Sequence, residues 1–266
     1  MLESYLERLF GQKIDAIAAG RTDAGVHALG QLVTFNTQST IPPVGFMYGL
    51  QDRLPEDIVI RASVERPYGY SARFDAIRKR YRYVIHHAPQ PLPWLRDYAW
   101  WYRRSLDEEA MHAATEVLLG THDFRCFESK WPNKLSSVRT IDELRLWRTT
   151  GWTPWATTPE AHPAGEYLML DIVADGFLYN MVRSIMGTLV HVGRGRWTPL
   201  ELRQILETGT RRHAGDTAPA QGLYLVEINA PVDEARISSR LERYHQKLAE
   251  NAAAAELNED EVDPDA

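Results

Sequence analysis

The sequence predicts an α+β fold built on a largely antiparallel sheet. Runs rich in β-branched and aromatic residues are interspersed with segments of helical periodicity. Several of the strand pairs are joined by short turns or loops. No internal repeat at a solenoid period is present.

In chain order, residues 31–36 (QLVTFN) and 80–86 (RYRYVIH) read as strands. Ser105 and Glu108 form a capping box, with Met111, Ala114 and Leu118 as a buried stripe and Gly120 as the stop. Residues 150–165 are rich in Thr, Pro and Gly and read as a surface loop. Residues 167–174 (YLMLDIVA) are a strand, and 180–192 (NMVRSIMGTLVHV) a mostly apolar helix buried on more than one side. Thr198, Pro199 and Glu201 open another helix that stops at Gly209. Residues 222–229 (GLYLVEIN) are a strand, and 231–248 form a last helix. The acidic, alanine-rich end reads as disordered or loosely helical.

A chain of 266 residues suits one large domain or two small ones, and 44% hydrophobic residues supply a packed core. No apolar run approaches the ~20 residues of a membrane span. Met1-Leu2-Glu3-Ser4 lacks the basic-then-apolar opening of a signal peptide. The single cysteine, Cys126, excludes an internal disulfide and a multi-thiolate zinc site, which fits a reducing, cytoplasmic setting. His86-His87 and His122 lack metal-ligand spacing, so no metal is expected. His27 reads as structural.

The net charge of −6 conceals an asymmetry. Residues 249–266 hold seven acids and no base, and removing those seven negative charges leaves +1 for the rest. An RNA surface is permitted by this balance but not demanded by it.

Three segments carry chemistry. The first is Gly20-Arg21-Thr22-Asp23-Ala24-Gly25-Val26-His27-Ala28. Its glycines allow unusual backbone angles, and its arginine holds an ionised carboxylate in place. Such a carboxylate can act as a nucleophile at an anomeric carbon. An ordinary Asp-Gly turn with a local ion pair accounts for the same residues equally well. The second segment runs from Arg73 to Tyr83, with five basic and three aromatic residues in eleven. Cations for phosphates interleaved with rings for bases suit RNA. A solvated strand edge charged against aggregation is the competing reading. The third is Phe177-Leu178-Tyr179-Asn180-Met181-Val182-Arg183, where one arginine enters an apolar helix. If buried, it needs a carboxylate partner. Otherwise it snorkels to the surface.

In this order the segments resemble the tRNA pseudouridine synthase A family. GRTDAGVHA matches that family's nucleophile loop, and ARF…KRYRY, GTHDF (120–124), SVRTI (137–141), ADGFLYNMVRSIMGTL (174–189) and GLYLVEI (222–228) support it. The resemblance spans roughly residues 4 to 229. It implies two ferredoxin-like α/β subdomains with a central cleft. These are an N-terminal catalytic subdomain over 1–95, a C-terminal subdomain over 96–230, and a helical then acidic disordered tail over 231–266. It further implies a cofactor-free homodimer that isomerises uridines at positions 38 to 40 in the anticodon stem-loop of tRNA.

By that resemblance Asp23 is the essential nucleophile, Tyr81 lies against the target uracil, Arg183 pairs with Asp23, and Arg21 helps extract and replace the base. Arg78, Lys79, Arg80 and Arg82 are the expected substrate-binding cations, with Arg194, Arg196, Arg211 and Arg212 as further candidates for phosphate contacts, although each of these last four reads equally well as a solvated surface charge. Family members usually open with a strand and a Gly-Trp-Gln loop ahead of the helix with which this chain begins. A misplaced start or a true truncation accounts for that, and a truncation predicts exposed strand edges in the first subdomain. Two rival readings remain. A glycosidase would need a second acid in a comparable setting, and arginines accompany Asp23 instead. An inactive tRNA-binding protein would have no chemical need for intact GRTDAG, KRYRY and NMVR segments.

Overall fold

A computed structural model describes residues 2–128, 136–151, 166–209 and 214–260, with side chains through Asn251. The expected loop at 150–165 lies outside these residues from position 152 onward, as do Arg211 and Arg212. The elements begin α1 (Leu2–Phe10), β1 (Ile17–Ala18), β2 (His27–Ala28), β3 (Val33–Thr34), α2 (Pro43–Gln51), β4 (Arg78–His87) and β5 (Trp100–Tyr102). They continue α3 (Glu108–Leu118), β6 (Gly120–Asp123), β7 (Val138–Thr149), β8 (Tyr167–Ala174), α4 (Met181–Gly193), α5 (Pro199–Thr208), β9 (Leu223–Asn229) and α6 (Glu234–Asp260). No helix among the described residues is long and apolar enough to cross a membrane.

The chain divides into two compact units that interleave in sequence. The first comprises Met1–Ala19, Val33–Asp75 and Ala230–Ala266. Here β1 pairs antiparallel with β3. Leu6, Ile14 and Leu50 are its buried centre, and the Phe10 ring meets those of Phe35 and Phe46. Arg240 of α6 grips the buried Asp75 with two nitrogens, at 2.9 and 2.7 Å. Burial works against the Asp75 anion, but the bonds from Arg240 and the Ser71 backbone hold the carboxyl below its ordinary range. Helix α6 runs on to Asp260, past the expected end at Leu248 and into the segment read as disordered or loosely helical. Four consecutive alanines at 252–255 have the highest helix propensity available, which favours that continuation.

The second unit comprises Gly20–Leu32 and Ala76–Asn229. Its sheet has the order β2-β9-β4-β8-β7-β6, with β5 also pairing β4. The β2–β9 and β4–β5 pairs are parallel and the others antiparallel, as the sequence predicts for most of the sheet. Strand β8 is buried along its whole length, so its Tyr-Leu-Met-Leu run fills both faces. Leu168, Leu170 and Ile172 join the core formed with α3, α4 and α5, while Tyr167 and Met169 join a second cluster with Trp147 and Tyr224.

Two local expectations shift. The run 31–36 contributes only Val33–Thr34 as strand. Helix α3 is capped by Asp107 rather than Ser105, its side chain accepting from the Ala110 N–H at 2.9 Å. A carboxylate at the positive end of a helix is an effective cap. For α5 the Thr198–Glu201 capping box, the Pro199 start and the left-handed Gly209 stop all form as read.

Candidate active site

The segment 20–28 is fixed in the second unit by its ends. Gln31 donates its amide to the Gly20 carbonyl at 2.8 Å, and His27 and Ala28 pair in register with Tyr224 and Leu225. The His27 ring stacks on Tyr224 and Tyr98, and its Nε2 donates to the Asp97 carbonyl at 2.8 Å. Between these anchors the chain turns sharply. The Val26 N–H donates to the Asp23 carbonyl at 3.1 Å, and Gly25 has φ +80, a conformation that disfavours any side chain. The turn projects the Asp23 carboxylate toward the start of α4.

Arg183 in the first turn of α4 meets it. Its Nη1 donates to Asp23 Oδ2 at 2.8 Å and to Asn180 Oδ1 at 2.7 Å, while Nε donates to the Ala218 carbonyl at 2.8 Å. The grip on Asp23 is a single N–H rather than a two-pronged fork. The Arg183 and Asp23 side chains are 17% and 22% exposed, so the pair is sheltered without being sealed. Asn180 has φ 62, the only non-glycine described residue in the left-handed region. Asparagine tolerates that region better than most residues. Its amide oxygen serves Arg183 instead of capping the helix.

Tyr81 lies in β4, opposite Ile172 of β8 and Leu225 of β9, next to a register shift between Arg80 and Tyr81. Its ring meets Phe177 edge-on at 4.9 Å. Burial, and then the nearby charge of Asp23, push its phenol up to about 12. Tyr83, two residues on and fully buried, donates its hydroxyl to the Pro219 carbonyl at 2.7 Å. Asp23, Arg183 and Tyr81 are thus brought together. Arg21 is exposed on the same loop.

The basic stretch behaves differently from its sequence reading. Arg82 is 1% exposed and directly opposite Asp171 in the β4–β8 register. It donates from Nε and Nη2 at 2.6 and 2.8 Å and lies over the Trp147 ring. Alternation along the strand sends it to the sheet interior, so it is a buried structural cation and not a phosphate contact. Arg78 pairs with Asp142 at 2.7 Å and Arg80 with Glu143 at 2.9 Å, both in exposed pairs that contribute little. The Lys79 ammonium lies against Gly20, 2.6 Å from where a Cβ there would stand. Among the described residues no three His, Cys, Asp or Glu side chains gather as a metal site would require.

Two parts of the site escaped the sequence reading. The Ala218 carbonyl has no sequence signature. Asn180 did have one, since a residue suited to left-handed backbone stands just before a helix start.

Comparison with known proteins identifies the family. A family model for tRNA pseudouridine synthase matches residues 114–229. The chain is 44% identical over 227 residues to tRNA pseudouridine synthase A of Acetivibrio thermocellus, covering 85% of this chain and 87% of the relative. It is 41% identical over 232 residues to the protein of that name from Syntrophomonas wolfei, covering 87% of each. It is 37% identical over 228 residues to that of a Thermoanaerobacter species, covering 86% and 87%. The class these matches define is an isomerase class, the pseudouridine synthases. Within it, the chain belongs to the tRNA pseudouridine synthase A family.

Proposed function

We propose that this chain isomerises uridine to pseudouridine at positions 38 to 40 of the tRNA anticodon stem-loop, with Asp23 as the nucleophile. One observation carries the reading. Asp23 is held through Oδ2 by Arg183, while Oδ1 accepts no hydrogen bond among the described residues. A carboxylate oriented on one oxygen and unengaged on the other is suited to attack.

The reaction breaks the C1′–N1 bond and forms a C1′–C5 bond within the same nucleotide. A proton leaves C5 and another is taken up at N1, so no atom or electron needs an external carrier. Asp23 starts the process by attacking the nucleotide or by assisting a glycal-type route. Tyr81 forms a wall of the pocket in which the freed base turns. Its phenol, at about 12, stays neutral at physiological pH and is no base there. Flipping a base from a stem costs a few kcal/mol. Arg21, which is exposed on the loop, occupies the space the base leaves in this reading. Arg78, Lys79 and Arg80 remain candidates for phosphates near the loop. The enzyme works without a cofactor, as a homodimer in the cytoplasm.

The test is tritium release from tRNA labelled at uridine C5, with the modified positions mapped. Release that disappears when uridines 38 to 40 are replaced by cytidine supports the reading. Undiminished release from that substituted tRNA would overturn the site assignment.

A further inference from the structure

We infer that a second site in the same unit, an open groove lined by Trp101, Tyr102, Arg103, Arg104, Arg194 and Arg196, binds the phosphate backbone of the RNA a few nucleotides from the reacting base. This rests on the proposed function for the identity of the strand. The groove has a volume of about 630 Å³, and its lining holds four arginines and two aromatic residues but no acid.

Its two rims are built, not incidental. One rim follows β5, whose residues 100–102 pair in parallel with Ile85, His86 and His87. The Trp101 indole N–H donates to the Ala88 carbonyl at 2.9 Å, which fixes a ring that stays 38% exposed. His87 Nε2 donates to the Arg104 carbonyl at 2.8 Å. The other rim is the end of α4. There the amides of Arg194, Gly195 and Arg196 donate back to Val190, Val192 and His191 at 3.1, 2.8 and 3.0 Å. The Asp107 N–H donates to the Gly193 carbonyl at 2.7 Å and ties the rims together. Gly193 makes that approach possible, since a Cβ there would stand 2.5 Å from Met111 Sδ.

The charge is unspent. Arg78, Arg80, Arg82 and Arg148 are each engaged by a carboxylate. Among the described residues none of the four groove guanidiniums forms an ion pair. Burial, followed by the charges of Arg196 and Arg194, holds the neighbouring His191 below its ordinary range despite Asp216 beside it. A helix C-terminus attracts one cation to its dipole, which accounts for Arg194 but not for three more. Arginines without an ion pair among the described residues, set around the exposed Trp101 ring, suit a polyanion with flat bases.

The position fits the reaction. Helix α4 carries Arg183 in its first turn and Arg194 at its C-cap. Eleven residues at 1.5 Å each separate them by about 16 Å along the axis. Strand β4 runs from Tyr81 near Asp23 to His87 behind the groove. One helix and one strand therefore lead from the reacting carboxylate to the groove within a single unit.

The experiment uses the full chain with Arg103→Gln/Arg104→Gln, Arg194→Gln/Arg196→Gln and the fourfold variant. Filter binding of unmodified tRNA is measured from about 50 to 200 mM salt, where each lost phosphate contact lowers the slope by about one. Each pair should lower the slope by one to two. The fourfold variant should bind at least about tenfold more weakly, with its single-turnover rate at saturating enzyme within about twofold of wild type. Wild-type affinity and slope in the fourfold variant would overturn the groove, even where tritium release proceeds normally. Groove-dependent binding without any tritium release would instead overturn the catalytic reading and leave the groove standing. Melting curves establish that the variants are folded, and the double variants suffice if the fourfold one is not.

Discussion

Arg183 and Asp23 stand 160 residues apart in the chain and share a 2.8 Å hydrogen bond. The same guanidinium nitrogen also reaches Asn180, and Nε reaches Ala218. Arg183 therefore joins the helix start, the segment before β9 and the loop that carries the carboxylate. Replacing it should alter chemistry more than affinity. Arg183→Met should cut the single-turnover rate by about 10²–10³, the range for losing one preorganised charged donor, and Arg183→Lys by about tenfold. Tritium release at saturating enzyme, read beside filter binding, checks this. A weakened affinity with a full rate constant would make Arg183 a phosphate contact instead.

Tyr81 should act as a wall and not as a proton carrier. Its phenol sits at about 12 because burial, then the charge of Asp23, disfavours the anion. Tyr81→Phe should keep the pH–rate profile of the wild type between about pH 6 and 9, with a rate lowered by less than about tenfold. A basic limb that vanishes in the Phe variant would contradict this. The same shift carries a stability sign. A folded-state value above the unfolded value of ~10 stabilises the fold below that pH, and the benefit is lost as pH rises through about 12. Alkaline denaturation should therefore be shallower at that end for Tyr81→Phe.

Arg82 should matter to stability alone. It is 1% exposed and doubly bonded to Asp171. Arg82→Ala leaves a buried carboxylate uncompensated, a loss of about 3–5 kcal/mol in similar pairs. Urea unfolding should register that loss, while the salt slope of tRNA binding stays unchanged. A reduced slope with unchanged stability would restore Arg82 to the RNA surface.

Much of this was legible in the sequence, for identifiable reasons. Strands β4, β8 and β9 announced themselves because long β-branched and aromatic runs have few other uses, and α5 because both its caps are chemically explicit. The twelve-residue strand β7 was missed, since its Asp142, Glu143, Arg145 and Arg148 interrupt the apolar signal. Helix α2 was missed for its two glycines and its Pro start. Asp23 and Arg183 were legible from motif alone. The face on which Arg82 lands was not, because it depends on which strand supplies Asp171 opposite it. The groove at Arg103 and Arg194 joins residues about ninety positions apart, which no local pattern can bring together.

Activity should survive exhaustive dialysis against a chelator, with no nucleotide or redox cofactor added. The isomerisation exchanges with solvent only the proton lost at C5 and the one gained at N1, and the roles proposed for Asp23 and Arg183 need no Lewis acid. Loss restored specifically by zinc would contradict the scheme. Magnesium rescue is to be compared with its effect on tRNA folding alone.

The most direct test of the account is Asp23→Ala in the tritium-release assay, run beside a filter-binding titration with the same tRNA. Loss of a nucleophile costs on the order of 10⁴ or more in rate, whereas binding is spread over many phosphate contacts. The prediction is release lowered by that factor with affinity within about threefold of wild type. Release by Asp23→Ala above a few per cent of wild type would contradict the assignment of Asp23 as nucleophile.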